Sequence, residues 1–232
     1  MNILVYKNYT VNDHSKWYND RTDEGDIQSS YTEMEKLSVA SAEDYVQDLD
    51  EIKVFRGNAD NIRDVFKINF YDIYELWKEG HNILYADLDV LFVKDVQYFD
   101  QFNKFAMFNL TDPTSTTDSH YNVKFNHFFN CGIRYYPKDM DQSVWDLGIE
   151  MVENWNPDRW DSEQIIYNAM MFSQDIKTTD ILKPWLAYQM LTGNLESDTN
   201  HNKINLSDAK AIHLHGSRGS FNRLQTMQKL RG

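Results

Sequence analysis

Cysteine, long apolar runs and basic residues are scarce in this sequence, and each scarcity excludes a class of protein. Cys131 is the one cysteine in 232 residues, so no intrachain disulfide can form, which is typical of a reducing compartment. No apolar run approaches the roughly 20 residues of a membrane span. Residues 1–6 lead directly into an apolar strand, so we expect no signal peptide. These features predict a cytoplasmic protein without a transmembrane segment.

The shortage of basic residues excludes two kinds of partner. The 23 Lys and Arg are outnumbered by 36 Asp and Glu, which gives a formal net charge of -13 and a pI near 4.9. So acidic a surface repels nucleic acid and anionic membranes, and we exclude both as general partners. A negatively charged substrate must therefore be met locally, by a metal ion or by a few placed Lys and Arg side chains.

Apolar segments of strand length alternate with segments of helical periodicity. The clearest helix covers 62–77, where apolar residues recur at helical spacing until Gly80 ends it. Further helices are predicted at 33–49, 142–155 and 162–172, and strands at 3–6, 52–55, 83–86, 90–93, 105–110, 128–136 and 211–215. The polar segments 7–30 and 111–122 are predicted to be long loops. This alternation, without repeats or linkers, indicates an α/β fold in one domain over residues 1–232.

Two carboxylates stand where one of these strands ends. Asp87 and Asp89 directly follow Ile-Leu-Tyr-Ala at 83–86. The Asp-x-Asp pattern alone is weak, because 25 Asp in 232 residues predict roughly 2.7 such triplets by chance and three occur. Of the three, this one ends a buried strand, and ligands of α/β proteins bind at the carboxyl ends of strands. Two carboxylates there can share a divalent cation that bridges to phosphate, although solvated turn carboxylates are the alternative.

A second segment with ligand chemistry covers 211–219, which reads Ala-Ile-His-Leu-His-Gly-Ser-Arg-Gly. Strand alternation places His213 and His215 on one face, so periodicity does not choose between them. The glycines that follow allow a ligand to approach the backbone, and Arg218 between them is suited to phosphate. An imidazole that joins two carboxylates makes a Mn²⁺ site, whereas the alternative is a hydrogen-bonded histidine at a sheet edge.

In their order along residues 52–219, the motifs resemble those of GT-A-fold glycosyltransferases, nearest to the retaining, metal-dependent glycogenin and galactosyltransferase type. Asp87-x-Asp89 is similar to the metal motif of that family. His213-x-x-Gly216 is similar to the late metal-binding histidine and the phosphate-contacting loop of the family. This resemblance favours His213 over His215 as the metal ligand. The Asn- and Asp-rich, lysine-poor chain is also typical of a phage or viral protein, which would act in the cytoplasm of its host.

The same resemblance gives roles to residues between these motifs. Lys67 lies on the helix before the metal strand, where the family has a donor-contacting lysine. The Phe-Asn-Cys-Gly segment that contains Asn130 and Gly132 is similar to the family segment that lines the donor-sugar pocket. Glu163 and Gln164 resemble its Asp-Gln pair, and we expect them to orient the donor sugar.

Several of these residues have structural alternatives. Lys67 lies beside an apolar stripe, where a lysine is usually solvated, and Asn130 could be a plain turn residue. Asp161 stands three residues before Gln164 in a capping-box-like arrangement at the start of a helix. Capping is compatible with function, because a rigid helix start can point the side chains of its first turn at a substrate.

The resemblance implies a Rossmann-like GT-A domain with a mixed central sheet flanked by helices. It implies a hexosyltransferase-like enzyme that moves a sugar from a nucleotide-diphosphate sugar to an acceptor hydroxyl with retention. Asp87, Asp89 and His213 would hold Mn²⁺ or Mg²⁺, and the metal and Arg218 would neutralise the departing diphosphate. Arg218 stands one residue out of register with the lysine that the family usually has at this point.

Two other classes of protein stay open. The segment Asp87–Leu91 also resembles the nucleophile strand of haloacid-dehalogenase-type phosphohydrolases, in which Asp87 would attack phosphorus. That motif normally lies on the first strand, and no clear acidic pair downstream completes its metal site. The other class is a nucleotide-sugar-binding protein without catalysis, since a fold does not guarantee turnover. For the transferase, we further expect segment 111–122 or 7–30 to close over bound donor as a lid.

Overall fold

Strands and helices alternate in the computed structural model, which describes residues 1–13, 27–97, 104–110, 116–118, 123–125, 129–154, 162–174, 187–189, 206–214 and 219–232. The strands are β1 (Asn2–Asp13), β2 (Glu51–Asn61), β3 (Asn82–Ala86), β4 (Val90–Phe92), β5 (Ala106–Leu110), β6 (Thr116–Asp118), β7 (Val123–Phe125), β8 (Phe129–Tyr136), β9 (Ala187–Gln189) and β10 (Ala211–His213). The helices are α1 (Ile27–Tyr45), α2 (Ile62–Lys78), α3 (Gln142–Glu153), α4 (Ser162–Phe172) and α5 (Gly219–Arg231).

A mixed sheet of five strands, in the order β2-β1-β3-β8-β5, carries the fold. β1 runs parallel to β2 and β3, whereas β8 runs antiparallel to β3 and β5. Every residue of the central strand β3 is buried, which explains why its sequence is a continuous apolar run after Asn82. The predicted mixed α/β sheet with flanking helices is thus confirmed.

Helix α2 follows the pattern predicted from its sequence. The side chain of Asn61 caps its first turn by accepting from the backbone N–H groups of Arg63 and Asp64. The helix ends before Gly80, whose φ of 84° lies in the left-handed region that favours glycine. Phe70 of α2 packs edge-on against Trp145 of α3, with ring centroids 5.3 Å apart. These contacts hold α2 and α3 together beside the sheet.

A smaller sheet, in the order β4-β10-β9, brings the C-terminal part of the chain to the end of β3. β10 is antiparallel to β4 and parallel to β9. Helix α1 supports the turn between β3 and β4, because the hydroxyl of Ser38 donates to the carbonyl of Leu88 at 2.6 Å. No helix in the described ranges is long and apolar enough to cross a membrane.

The predicted loop over 7–30 is wrong at both ends, where β1 continues to Asp13 and α1 already begins at Ile27. β1 and β2 stay paired in parallel as far as Asp13 and Asn61, because backbone pairing does not require apolar side chains. The predicted loop over 111–122 is likewise wrong at 116–118, which pairs with β7. Helix α5 and strand β9 were not predicted, since neither has a clear apolar period.

Candidate metal centre

Asp87 and Asp89 follow β3 in a turn that hydrogen bonds from neighbouring strands hold in place. The backbone N–H of Asp87 donates to the carbonyl of Gly132 at 2.8 Å, and the N–H of Val90 donates to the carbonyl of Asp87 at 3.1 Å. The carbonyl of Asp89 accepts from the N–H of Leu214 at 3.0 Å. Both carboxylates are therefore fixed at the carboxyl end of a buried strand, as the sequence predicts.

The imidazole of His213 meets both carboxylates. Its place is set by β10, in which His213 lies opposite Val90 of β4. Nε2 lies 3.2 Å from Oδ1 of Asp89 and 3.8 Å from Oδ2 of Asp87. Each of the three side chains offers a ligand atom within 4.8 Å of the other two. The structure thus brings together the three residues that were predicted to bind metal.

Gly132 makes room for the histidine ring. A Cβ at this position would lie 2.3 Å from Cε1 of His213, and 2.7 and 2.8 Å from its two ring nitrogens. Such distances are far below van der Waals contact, so a larger residue would push the imidazole away from the carboxylates. The family resemblance gave Gly132 a place in the donor pocket, and the structure adds a contact with the predicted metal-binding histidine.

Burial and charge act in opposite directions on the titratable groups. Burial lowers the pKa of His213, but Asp89 and Asp87 outweigh it and raise the pKa above its ordinary value. Burial raises the pKa of the Asp87 carboxyl, while the charge of Lys7 opposes this shift. Burial also raises the pKa of Tyr85 well above its ordinary value, so its hydroxyl keeps its proton and donates to Oδ1 of Asp87 at 2.6 Å. Without metal, protonated His213 is thus the form that balances the carboxylates.

The donor set of the centre fits a hard divalent cation. Carboxylate oxygens suit Mg²⁺ and Mn²⁺, and an imidazole nitrogen is a better ligand for Mn²⁺ than for Mg²⁺. Ligands of metals are usually held by hydrogen bonds from outside the centre. Tyr85 holds Asp87 in this way, and Arg223 of helix α5 holds Asp89. The residues present therefore fit the metal that the sequence motifs imply.

Arg223 reaches the centre from helix α5. Its Nη1 donates to Oδ2 of Asp89 at 2.8 Å, while His213 approaches the other oxygen, Oδ1. Both side chains of this ion pair are largely buried, at 13% and 8% exposure. Sequence analysis missed Arg223 because no motif surrounds it and because helix α5 was not predicted.

A second group of charges lies beside the centre, around Glu163. Lys7 of β1 stands two residues after Val5, which pairs with Tyr85 of β3, and Arg134 of β8 lies opposite Tyr85. Oε1 of Glu163, in the first turn of α4, accepts from Nζ of Lys7 and from Nη1 of Arg134, each at 3.3 Å. Glu163, predicted to orient the donor sugar, is therefore held by two cations next to the carboxylates.

Arg134 is fully buried between two aromatic rings. Its guanidinium carbon lies 3.8 Å from the ring centroids of both Tyr85 and Tyr167, in the geometry of cation–π contacts. A buried charge must be paired, and Glu163 is its carboxylate partner in the described part of the chain. Lys7 and Arg134 belong to no motif, so sequence analysis could not have singled them out.

Three further predicted residues lie outside the Asp–Asp–His cluster. Lys67 forms an ion pair with Glu153 at 3.1 Å, and the two side chains are 48% and 50% exposed. Gln164 follows Glu163 in α4, and its backbone carbonyl accepts from the side chain of Asn168 at 2.7 Å. Asn130 pairs through β8 with Asn109 of β5. These placements leave the predicted roles of Lys67, Gln164 and Asn130 as predictions.

Other predicted residues lie outside the described ranges. They are Asp161, Gly216, Arg218 and the alternative ligand His215. Their roles stay predictions, as does the closing of segment 111–122 or 7–30, most of which also lies outside those ranges.

The sequence matches no family model and no curated protein. Among solved structures, the chain is similar to a glycosyltransferase involved in the glycosylation of the major capsid of PBCV-1, at 10% identity and a TM-score of 0.49, over 98% of each chain. It is also similar to the WbbM bifunctional glycosyltransferase in its apo structure, at 10% identity and a TM-score of 0.50. That match covers 99% of this chain and 50% of the other, so this chain spans about half the length of WbbM.

WbbM is a glycosyltransferase, the class that the motifs of the sequence resemble. At 10% identity, the likeness to WbbM concerns the fold. The protein accordingly has a GT-A-like α/β fold with an Asp–Asp–His cluster that could hold a metal ion.

Proposed function

We propose that the protein is a metal-dependent glycosyltransferase, which moves a sugar from a nucleotide-diphosphate sugar to the hydroxyl of a glycan or another acceptor. The observation that carries this proposal is the convergence of Asp87, Asp89 and His213 at the carboxyl end of β3. Ligands of α/β proteins bind at such an edge, and a divalent cation there commonly bridges to phosphate. The fold shared with WbbM supports the proposal.

Different residues of the chain bind the diphosphate and the sugar of the donor. Mn²⁺ or Mg²⁺, held by Asp87, Asp89 and His213, would supply Lewis acidity to the diphosphate. Without the ion, the two carboxylates repel the diphosphate, so donor binding depends on metal. From the resemblance, Lys67 and Arg218 are cations for the donor, and Gly216 allows close approach of its phosphates.

Orientation of the donor sugar falls to the first turn of α4. The side chain of Glu163 is largely buried, and its position is fixed by the buried guanidinium of Arg134. Gln164 and Asn130 complete the polar lining, as the resemblance implies, and the capping-box-like pattern favours Asp161 as the cap of the helix start. From the same resemblance we propose a hexosyl donor and retention at the anomeric carbon, in one catalytic domain over residues 1–232.

Thermal unfolding with a panel of UDP-, GDP- and dTDP-sugars, with Mn²⁺ or with EDTA, tests this function. One donor should raise the melting temperature only with Mn²⁺ present, because ligands that bind the native state stabilise it. Slow release of nucleoside diphosphate from that donor should follow even without an acceptor. Asp89→Ala should abolish both effects. Asp139→Ala, at an exposed aspartate of another Asp-x-Asp triplet, is the matched control and should retain them.

Other outcomes of these experiments would indicate a phosphohydrolase or a binding protein without catalysis. Turnover of p-nitrophenyl phosphate that depends on Asp87, without any response to nucleotide sugars, would replace the transferase by a phosphohydrolase. Binding of a nucleotide sugar without release of diphosphate, in the presence of a broad set of acceptor glycans, would leave a binding protein. Equal binding with Mn²⁺ and with EDTA would refute the role of the metal.

A further inference from the structure

Lys7 belongs to no motif, yet it lies at the edge of the metal centre. The register of β1 and β3 pairs Val5 with Tyr85, and Lys7 and Asp87 each stand two residues further along their own segments. Nζ of Lys7 lies 5.5 Å from the ring centroid of Tyr85, whose hydroxyl donates to Asp87. The side chain is 15% exposed, so the ammonium group is sheltered but reachable.

Glu163 faces two cations. Lys7 and Arg134 both pair with its carboxylate, and the charge of Lys7 also acts on the carboxyl of Asp87, within a chain whose net charge is -13. An ammonium group has three donors. In the described part of the chain, the one hydrogen bond of Lys7 is the 3.3 Å contact with Glu163. The remaining donors of Lys7 are therefore placed to reach an anionic ligand beside the carboxylates of the centre.

Arg134 allows Lys7 to change partner. Its guanidinium is fully buried between the rings of Tyr85 and Tyr167, so it stays in place and keeps Glu163 paired. The ammonium group of Lys7 lies over the ring of Phe66, with Nζ 4.6 Å from the ring centroid. A small rotation at the end of this side chain would therefore exchange the long contact with Glu163 for a contact with an anion, without leaving a carboxylate unpaired.

We propose that Lys7 donates to the phosphate oxygens of the donor and of the departing nucleoside diphosphate. This assignment rests on the proposed function, since it places the diphosphate at the Asp–Asp–His cluster. Lys67, which the resemblance favours for such a contact, lies instead in an exposed ion pair with Glu153. Lys7 would act in the first instance on diphosphate affinity, because it stabilises the charge of the bound and the departing group alike.

Calorimetry with nucleoside diphosphates tests the assignment. UDP, GDP, dTDP, CDP and ADP are titrated into the full chain with Mn²⁺, and the tightest is used for the variants. Lys7→Met, which keeps the apolar stem, should weaken its binding by roughly ten- to a hundredfold, as expected for the loss of a charge-assisted hydrogen bond. Lys7→Gln should weaken it similarly and Lys7→Arg less. Binding of Mn²⁺ alone, followed by electron paramagnetic resonance, should change little.

Controls separate this contact from a general loss of structure. Lys78→Met removes an exposed lysine from the end of α2 and should bind the diphosphate as the unaltered protein does. Lys7→Gln can still donate to Glu163, so it serves if Lys7→Met does not fold. The corresponding nucleoside, which has no phosphate, should bind equally to all folded variants.

The results distinguish failure of the proposed function from failure of the assignment of Lys7. If the unaltered protein binds no nucleoside diphosphate with Mn²⁺, the proposed function fails, and the assignment of Lys7 fails with it. If the unaltered protein binds one and folded Lys7→Met or Lys7→Gln binds it equally well, the assignment alone is overturned. Weakening by Lys67→Met but not by the Lys7 variants would give the contact to Lys67 instead.

Discussion

At the scale of single residues, the close contact between Gly132 and His213 makes the metal centre sensitive to a larger side chain at position 132. Gly132→Ala should lower Mn²⁺ affinity by at least about tenfold, because the added methyl group displaces the imidazole. The same change should cost about 1–3 kcal/mol of stability through overpacking. Metal binding is measured by electron paramagnetic resonance and stability by urea unfolding.

A double-mutant cycle isolates the cause of this effect. In a His213→Ala background there is no ring to displace, so Gly132→Ala should change neither metal affinity nor stability by much. Additive effects of the two substitutions on stability would show instead that glycine is required at position 132 for another reason, such as the backbone of β8.

The raised pKa of His213 predicts how metal binding depends on pH. Since the folded state raises this pKa above 6.5, the protonated ring stabilises the metal-free protein below that value, and the stabilisation is lost as pH rises through the raised pKa. Mn²⁺ needs the neutral ring, so its affinity should increase with pH across the same range, by up to about tenfold per unit. His213→Gln should flatten this dependence in Mn²⁺ titrations between about pH 6 and 8. A dependence that survives the substitution would assign it to another group.

At the scale of secondary structure elements, Arg223 ties helix α5 to the metal centre. Arg223→Gln should cost about 1–3 kcal/mol in the metal-free protein, because it removes a charged partner from a largely buried carboxylate. Arg231→Gln is the matched control in the same helix, since Arg231 pairs with Asp44 nearer the surface and should cost at most about 1 kcal/mol. Urea unfolding measures both. Equal costs would mean that the contact with Asp89 adds nothing to the docking of α5.

The elements also show what could be predicted from sequence. Helix α4 was predicted over 162–172, as observed, because its apolar residues recur at helical spacing. The C-terminal ends of β1 and β2 were not predicted, because there the two strands pair through the backbone and have mostly polar side chains. Local patterns therefore located strands and helices with an apolar face, and failed where pairing between distant segments decides the structure.

The same distinction holds for the candidate site. Asp87, Asp89 and His213 could be predicted because each ends or lies in a recognisable strand and belongs to a motif. Lys7 and Arg223 could not, because their importance depends on the register of β1 against β3 and on where α5 docks. Neither the register of these strands nor the docking of α5 can be predicted from the spacing of residues along the chain.

At the scale of the whole molecule, metal binding should stabilise the fold, because the centre joins β3, β10 and, through Arg223, α5. At a free Mn²⁺ concentration one hundred times its dissociation constant, the expected gain is about 2.7 kcal/mol. Calorimetric melting with Mn²⁺ and with EDTA measures this gain, which Asp89→Asn should remove. A single melting temperature in both conditions would contradict the assignment of the Asp–Asp–His cluster as a metal centre.

The centre is assembled from distant parts of the chain, so its residues become available at different times during translation. Asp89 and Arg223 are 134 residues apart, so at translation rates of roughly 5–20 residues per second an interval on the order of 10 s separates their synthesis. During most of that interval β1, β2 and β3 can already pair on the ribosome, but the two carboxylates lack the imidazole of His213 and the guanidinium of Arg223. Under the proposed function, a growing chain therefore cannot yet hold a metal ion with all three side chains. Metal binding is then expected only after β10 has docked beside β4.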